Sequence, residues 1–177
     1  MDIGEIKRPP KSLIEGFKGL ATSTIGNVLD DMKIQGIIQN IKPICAGFHF
    51  VGCAVTVKEV TGVLGTYTNA DFKLGQVIDS AQVGDVIVID NGGQQVSTWG
   101  GIAALAAKLR GVSGLVVDGG VRDLDEIREF DFPVFSRYVV PTSGKGRVKL
   151  IWYDPAISSW ATERGWCVFP SRRLKRS

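Results

Sequence analysis

The sequence GDVIVIDNGGQQVSTWGGIAALAAKLRGVSGLVVDGGVRD, residues 84–123, decides the fold. A turn leads into the short apolar run Val86–Ile89, which is typical of a strand buried on both faces. A glycine pair then precedes the segment Ile102–Leu109, in which the apolar positions 102, 105, 106 and 109 share one helical face. This spacing predicts a helix, and Gly111 is placed to end it. Leu115–Val117 predicts the next buried strand. The alternation of strand and helix predicts an α/β fold with parallel strands.

The flanking sequence extends this pattern in both directions. Downstream, residues 124–130 predict a helix and residues 133–135 a further strand. Upstream, Thr22 or Ser23 could cap a helix that runs to about Met32, with positions 25, 28, 29 and 32 on one apolar face. The first half is otherwise rich in β-like sequence, which predicts either a second sheet or one extended mixed sheet. Its two β-like stretches are Phe48–Val51 and Ala54–Val60.

Length and composition describe one ordinary globular domain, which we take as residues 1–177. The chain has 21 basic and 18 acidic residues, and a net charge of +3 is too small to indicate a nucleic-acid-binding protein. Its basic tail, Arg172–Arg176, is interpreted as a solvated end rather than an RNA contact. No apolar stretch reaches the ~18–20 residues of a membrane span, and the polar start does not resemble a secretory signal. Three cysteines without C-x-x-C spacing favour a reducing cytoplasm.

The single histidine restricts the chemistry further. His49 cannot by itself build a multi-histidine metal site, and its alternation with aromatic neighbours is more typical of a strand or surface position than of catalysis. An enzyme with this composition would therefore rely on carboxylates, arginine, backbone amides and water.

Two candidate sites lie at the ends of predicted strands. Gly100-Gly101 opens a helix, where unpaired backbone amides and the helix dipole favour an anion, although a Gly-Gly turn is often only a turn. Arg122-Asp123 follows the predicted strand Leu115–Val117. The arginine could clamp a carboxylate. The aspartate could hold a cation such as Mg²⁺, or it could cap the helix that follows it. Asp125, in the first turn, is interpreted as an ordinary partner of the helix dipole.

The two candidate sites are joined by a long-spaced pattern that resembles the motif G-x20-R-D-x2-E/D. Its fixed positions are occupied here by Gly101, Arg122-Asp123 and Glu126. That motif belongs to the 4-hydroxy-4-methyl-2-oxoglutarate aldolase and RraA-like family. The segments 51–57 and 84–90 and the sequence Trp99-Gly-Gly also follow the family's order and spacing. The similarity is strongest over residues 20–146, and residues 148–177 diverge.

The resemblance implies a compact β/β/α sandwich, similar to phosphohistidine swivelling domains. It also implies a lyase that releases pyruvate from 4-hydroxy-2-oxo acids and decarboxylates oxaloacetate, with Mg²⁺ or Mn²⁺. Backbone amides would bind the substrate carboxylate, Arg122 the substrate oxygens and Asp123 the cation, while Glu126 would hold the metal's waters. The amides are those of Gly100, Gly101, Ile102 and Ala103.

The family also includes RraA proteins that bind and inhibit an RNA-degrading endonuclease, and this is the alternative function. Those regulators tend to lack the acidic residue at the position of Glu126, so its presence favours the enzyme. No glycine-rich loop supports an S-adenosylmethionine-dependent methyltransferase. In the implied lyase a metal ion replaces the Schiff base that a lysine would form, so Lys108 needs no catalytic role and is expected to be solvated.

The family assembles as homotrimers or trimer pairs with the active site between subunits. In the aldolases, an acidic side chain from the neighbouring subunit's C-terminal region approaches the metal, and this sequence offers no clear equivalent. Residues 161–165 and 168–170 resemble the family's last segment, whereas a Pro-Gly-Asp turn and the strand before it are expected to be missing. Three tryptophans in this region are expected to be packing residues, namely Trp152, Trp160 and Trp166.

Overall fold

The computed structural model describes residues 8–162 and 165–170, with side chains up to residue 151. These residues form five α-helices, one 3-10 helix and seven strands. The helices are α1 (Lys11–Phe17), α2 (Thr22–Asp31), α3 (Leu74–Ser80), α4 (Gly101–Leu109) and α5 (Leu124–Glu129), with the 3-10 helix at Asn69–Asp71. The strands are β1 (Lys42–Pro43), β2 (Phe50–Thr61), β3 (Val86–Trp99), β4 (Gly114–Val121), β5 (Val134–Val139), β6 (Val148–Thr162) and β7 (Gly165–Pro170).

The seven described strands form one mixed sheet in the order β1-β5-β4-β3-β2-β6-β7. Strands β2 to β5 are parallel neighbours, and the pairs β1–β5, β2–β6 and β6–β7 are antiparallel. The predicted α/β fold is confirmed. Of the two arrangements considered for the β-rich first half, the extended mixed sheet is the one observed.

The central strands form where the sequence has continuous apolar runs. Val86 and Ile87 of β3 and the segment Leu115–Val117 of β4 have no solvent exposure, as expected for parallel strands covered on both faces. The loop predicted after residue 90 is instead an irregular continuation of β3 to Trp99. In its pairing with β4 the register shifts three times between Asp90 and Trp99. β3 therefore ends directly at the glycine pair.

Three crossover helices, α3, α4 and α5, cover one face of the sheet and share the largest apolar cluster with it. Val77, Ala104 and Ile127 bring one side chain from each helix into this cluster. On the opposite face Phe50 packs edge-to-face against Phe135, with ring centroids 5.3 Å apart. Because the connections β3–α4–β4 and β4–α5–β5 join parallel strands, the N-termini of α4 and α5 lie at the same edge of the sheet.

The predicted orientation of α4 is wrong. Ile102 and Leu109, taken as part of its core face, are 86% and 80% exposed, and Leu105 is 38% exposed. The buried side instead carries small residues, including Ala104 and Ala107, which have no exposure. The helix is apolar on nearly every side, so periodicity could not decide which side faces the sheet, and small side chains allow the closer approach.

The remaining expectations have mixed outcomes. Helix α2 is present, but Ala21 occupies its N-cap position, so neither Thr22 nor Ser23 caps it. Only half of its predicted apolar face is buried, because Val28 and Met32 are exposed. The helices α1 and α3 were not predicted. Among the described residues, none of the helices has the length and hydrophobicity needed to cross a membrane.

The C-terminal part contains more strand than expected. The antiparallel pair β6–β7 extends the sheet, so the expectation of a missing strand is wrong, and β7 includes the predicted final strand at residues 168–170. The side chains of Trp152, Trp160 and Trp166 and the basic tail Arg172–Arg176 lie outside the part of the chain whose side chains are described.

Candidate functional site at the N-termini of two helices

The first part of the candidate site is the start of α4. Gly100 is its N-cap residue, in an extended conformation, and supplies no side-chain cap. The Gly101 amide donates a hydrogen bond to Asp123 Oδ2 at 3.2 Å. In the described part of the chain, the next two amides, of Ile102 and Ala103, have no hydrogen-bond acceptor. They are the two first-turn donors that a ligand anion could take.

The second part is the junction between β4 and α5. The Arg122 amide donates to the Trp99 carbonyl at 3.0 Å, so the last residue of β3 fixes the backbone of the arginine. Asp123 follows with φ 57° and ψ 47°, in the left-handed region. It occupies the N-cap position of α5, but its side chain does not cap that helix. The N-cap interpretation of Asp123 is therefore wrong, and its carboxylate is turned towards α4.

The glycine pair is required by the carboxylates packed against it. A Cβ on Gly100 would overlap with Asp123 Oδ2, and a Cβ on Gly101 would overlap with the Glu126 carboxylate, lying 2.6 Å from its Cδ. Two acidic side chains from one junction therefore converge on the start of the neighbouring helix. The long-spaced motif of the sequence corresponds to one compact cluster in space.

Arg122 lies beside this cluster and remains accessible. Its Nε is 3.4 Å from Asp123 Oδ2, and the two side chains are 40% and 36% exposed. Asp118, an alternative structural partner for the arginine, is instead paired with Arg137 at 2.5 Å. That hydrogen bond raises the pKa of Arg137. The partly exposed Arg122 side chain is thus accessible to a ligand, because Asp118 on β4 is neutralised by Arg137.

The other residues considered in the sequence lie outside the cluster. Asp125 is fully exposed in the first turn of α5 and pairs with Arg128 at 3.2 Å, in agreement with its interpretation as an ordinary partner of the helix dipole. Lys108 is exposed, as expected, and its amino group donates to the Phe130 carbonyl. His49 is exposed and its Nδ1 lies 3.3 Å from the Gly47 carbonyl oxygen, so its surface interpretation is confirmed.

Two features were missed by sequence reasoning. The Trp99 carbonyl accepts hydrogen bonds from both the Arg122 amide and Ser97 Oγ, and the only sequence signal was the Trp-Gly-Gly triplet. Glu59 on β2 is 3% exposed, and its Oε2 has no hydrogen-bond partner within the described residues. Burial raises the pKa of Glu59 to about 8. A single glutamate in a valine-rich strand gives no sequence signal of such burial.

The donor set fits a hard cation only in part. Asp123 and Glu126 offer carboxylate oxygens, which Mg²⁺ prefers, and Mg²⁺ commonly keeps several waters as its other ligands. No cluster of three or more His, Cys, Asp or Glu side chains occurs within the described residues. A cation here would therefore be held by Asp123, with Glu126 acting on its waters.

Comparison with known proteins identifies a family and several relatives of this chain. The model of the RraA-like family (Aldolase/RraA) matches residues 24–157. Protein DlpA of Legionella pneumophila is 30% identical over 93% of this chain, and a protein of Halalkalibacterium halodurans named "Putative 4-hydroxy-4-methyl-2-oxoglutarate aldolase" is 32% identical over 70% of it. The chain spans 28% and 55% of the lengths of these two relatives.

A solved structure supports the fold. Streptomyces coelicolor RraAS2, described as an unusual member of the RNase ES inhibitor RraA protein family, superposes with a TM-score of 0.83 at 22% identity. The match covers 93% of this chain and 88% of that one. The match of the family model over residues 24–157, most of the chain, shows that the protein belongs to the RraA-like family.

Proposed function

We propose that this protein is a divalent-metal-dependent carbon–carbon lyase. Its substrates would be 4-hydroxy-2-oxo acids of the 4-hydroxy-4-methyl-2-oxoglutarate type, cleaved to pyruvate, and oxaloacetate, decarboxylated through the same pyruvate enolate. The observation that carries the proposal is the convergence of Arg122, Asp123 and Glu126 on the glycine-opened N-terminus of α4. That arrangement provides anion binding, a charged donor and cation-holding oxygens within one cluster.

Each group has a role that follows from its chemistry. The unpaired amides of Ile102 and Ala103, with the positive end of the α4 dipole, would bind the carboxylate next to the keto group. The Arg122 guanidinium would donate to the keto oxygen. As the bond between C3 and C4 breaks, its electron pair forms the enolate, while the C4 hydroxyl of the aldol substrate gives its proton to water, or oxaloacetate releases carbon dioxide. Arg122 would stabilise the negative enolate oxygen more strongly than it stabilises the neutral ketone, and a proton from water would then complete pyruvate at C3.

Asp123 and Glu126 would provide the cation site. Asp123 would anchor Mg²⁺ or Mn²⁺, and Glu126 would hold waters around it. When bound, the cation supplies Lewis-acid polarisation of the substrate oxygens. The Gly101 amide, 3.2 Å from Asp123 Oδ2, keeps the carboxylate oriented towards the ligand side of α4. A lysine Schiff base is not needed in this scheme.

The activity can be tested with purified protein and oxaloacetate, with and without Mg²⁺ or Mn²⁺, by following pyruvate release against the uncatalysed background. Turnover that depends on the metal is expected. A folded protein that binds Mn²⁺ but releases no pyruvate from oxaloacetate or from 4-hydroxy-4-methyl-2-oxoglutarate would favour the alternative function, a non-catalytic regulator that binds an RNA-degrading endonuclease. The presence of Glu126 within the cluster favours the enzyme.

The remaining expectations concern assembly and location. We propose that the chain forms a homotrimer or hexamer, contacts neither membrane nor nucleic acid directly, and works in the cytoplasm. Cys45 and Cys53 are free thiols, which is compatible with a reducing compartment.

A further inference from the structure

Glu59 on β2 is a buried carboxyl group that lies outside the candidate site. Within the described residues its Oε2 has no hydrogen-bond partner. Because side chains alternate along a strand, Glu59 shares the sheet face of Val57, which belongs to the apolar cluster under α3. A buried polar group without a partner costs free energy, so its presence here calls for an explanation.

The described charged side chains on the elements around β2 are paired with one another. On the neighbouring strands and on α3, these pairs are Lys58–Asp90 at 2.8 Å, Asp71–Lys149 at 3.8 Å and Asp79–Arg110 at 3.7 Å. The charge of Lys73, the N-cap residue of α3, acts on Asp71. Helix α1 carries the exposed Lys11 and the pair Glu15–Lys18 at 2.7 Å. Further along β6, Tyr153 and Asp154 pair with Val57 and Thr56 of β2. None of these ion pairs includes Glu59.

The pairing between β2 and β6 is irregular at Glu59 itself. Lys58 pairs with Trp152 and Glu59 pairs with Leu150, so Ile151 is an extra residue of β6, which makes a β-bulge. Only three residue pairs lie between this bulge and the start of β6. On the other side of β2, the pairing with β3 shows no register shift. The start of β6 is therefore the neighbour that can separate from Glu59 most easily.

The start of β6 belongs to residues 142–150, which we call the 142–150 segment. Its carbonyl groups accept hydrogen bonds from the loop after β2 and from the end of β3. These bonds join Gly62 to Arg147 at 2.7 Å, Gly65 to Gly146 at 3.0 Å and Ser97 to Thr142 at 2.9 Å. Ser97 Oγ donates in turn to the Trp99 carbonyl, which also holds the Arg122 amide. The segment is thus connected to the backbone of the candidate site.

We propose that the proton on Glu59 controls the attachment of the 142–150 segment. While the carboxyl group is protonated, the segment stays on β2 and on the end of β3. When the group ionises, the segment separates and lets water reach the carboxylate, because a buried charge without a partner is far more costly than a buried neutral group. Ser97 then loses its bond to Thr142, so the support of Arg122 is weakened. The proposal does not depend on the proposed reaction.

The direction of the pH dependence follows from burial. Burial raises the pKa of Glu59 from 4.5 to about 8, and a carboxyl group exposed by separation of the segment regains its ordinary pKa. The separated state therefore binds fewer protons between these two values. Separation is favoured as pH rises through this range and is suppressed as pH falls.

Hydrogen exchange of the full chain, measured by mass spectrometry between about pH 5 and 8, tests the proposal. The reporters are the amides of Gly62, Gly65 and Ser97, whose acceptors lie in the segment. Each rate is divided by the rate of the same amide in Glu59→Gln at the same pH, which cancels the intrinsic pH dependence of exchange. Glu129→Gln, at an exposed position, is the matched control. If Glu59→Gln does not fold, Glu59→Met, which also cannot ionise, replaces it.

The expected ratio of wild type to Glu59→Gln rises about tenfold per pH unit at the reporter amides, and Glu129→Gln behaves like the wild type. The amides of Leu115–Val117, in the buried strand β4, should exchange more slowly than the reporters, because they require global unfolding. A ratio that does not change with pH would overturn the proposal. So would reporter amides that exchange only as slowly as those of β4, because global unfolding alone would then expose Glu59.

Discussion

At the scale of single residues, Asp123 has a backbone conformation that most side chains avoid. Its φ of 57° is tolerated because aspartate is short and polar. The conformation turns the carboxylate away from its own helix, so that it accepts a hydrogen bond from Gly101. Strained residues of this kind concentrate at functional sites, which agrees with a cation-holding role.

The sequence motif predicted which residues meet, because Gly101, Asp123 and Glu126 carry a long-spaced pattern. It could not predict the orientation of Asp123, since an aspartate before a helix ordinarily caps that helix. Nor could it predict the burial of Glu59, because its environment depends on strands β3 and β6, which are distant in sequence.

Replacing Arg122 with lysine separates a substrate clamp from a structural ion pair. Lysine keeps the charge but loses the planar two-point geometry. We expect kcat to fall by ~10²–10³, more than KM rises, because the charge on the enolate oxygen develops after binding. Steady-state pyruvate release and a thermal melt are measured together. A variant with normal kcat and a lowered melting temperature would show that Arg122 has only a structural role.

Replacing Glu59 with glutamine should change how stability depends on pH. In the folded chain the pKa of Glu59 is about 8, so the native state keeps its proton while the unfolded chain, at the ordinary value of 4.5, loses it. The free energy of unfolding should therefore fall as pH rises between these values, by up to about 1.4 kcal/mol per pH unit. Urea titrations of Glu59→Gln should show a flatter profile and greater stability at pH 8. Glu129→Gln, at an exposed position, is the control, and identical profiles for Glu59→Gln and wild type would contradict the expectation.

At the scale of elements, the strands were easier to predict than the faces of the helices. The short apolar runs in β3 and β4 are typical of buried strands, so the order of these two strands along the chain could be predicted. In α4, Ile102 and Leu105 on one side and Ala104 and Ala107 on the other are all apolar. The spacing of the large apolar residues predicted that their side of α4 is buried. The structure buries the side with alanines instead, because small side chains let the helix pack closer to the sheet.

The contact between α4 and α5 depends on Gly101. A Cβ at this position would displace the Glu126 side chain, without backbone strain in the helix itself. We expect Gly101→Ala to lower pyruvate release by ~10–10²-fold, since small displacements of positioning groups have effects of this size. Gly75→Ala is the matched control, because nothing lies within 4 Å of its added Cβ, and it should leave turnover unchanged. Equal activity of both variants would argue against a role for Glu126.

At the scale of the molecule, the two edges of the parallel sheet have different roles. The carboxyl edge carries the candidate site, and the opposite edge carries a partly buried ion pair that ties the N-terminal segment to the start of β3. Arg8 Nη2 lies 2.6 Å from Asp85 Oδ2, and the aspartate side chain is only 4% exposed. The Arg8 Nε also contacts both carboxylate oxygens.

Removing Arg8 should destabilise the fold without affecting the chemistry. Arg8→Ala leaves the Asp85 carboxylate with the Gln82 amide as a remaining donor. We expect the free energy of unfolding to fall by about 1.5–2 kcal/mol, because hydrogen bonds to a charged group contribute ~1.5–3 kcal/mol and water can reach the space that the partly exposed Arg8 leaves. Chemical denaturation measures the change, with Lys11→Ala, an exposed position nearby in sequence, as the control. A loss no larger than that of Lys11→Ala would show that the pair contributes little.

The central claim is that Asp123 holds the catalytic cation, and one comparison tests it most directly. Asp123→Asn keeps the size and the tolerance for left-handed backbone but removes the charge. Asp125→Asn is its matched control, because Asp125 is fully exposed two residues away. Calorimetric Mn²⁺ titration and metal-dependent pyruvate release are measured on both. We expect Asp123→Asn to lose Mn²⁺ binding and metal-dependent pyruvate release, while Asp125→Asn keeps these two properties. Unchanged Mn²⁺ affinity and turnover in folded Asp123→Asn would contradict the account.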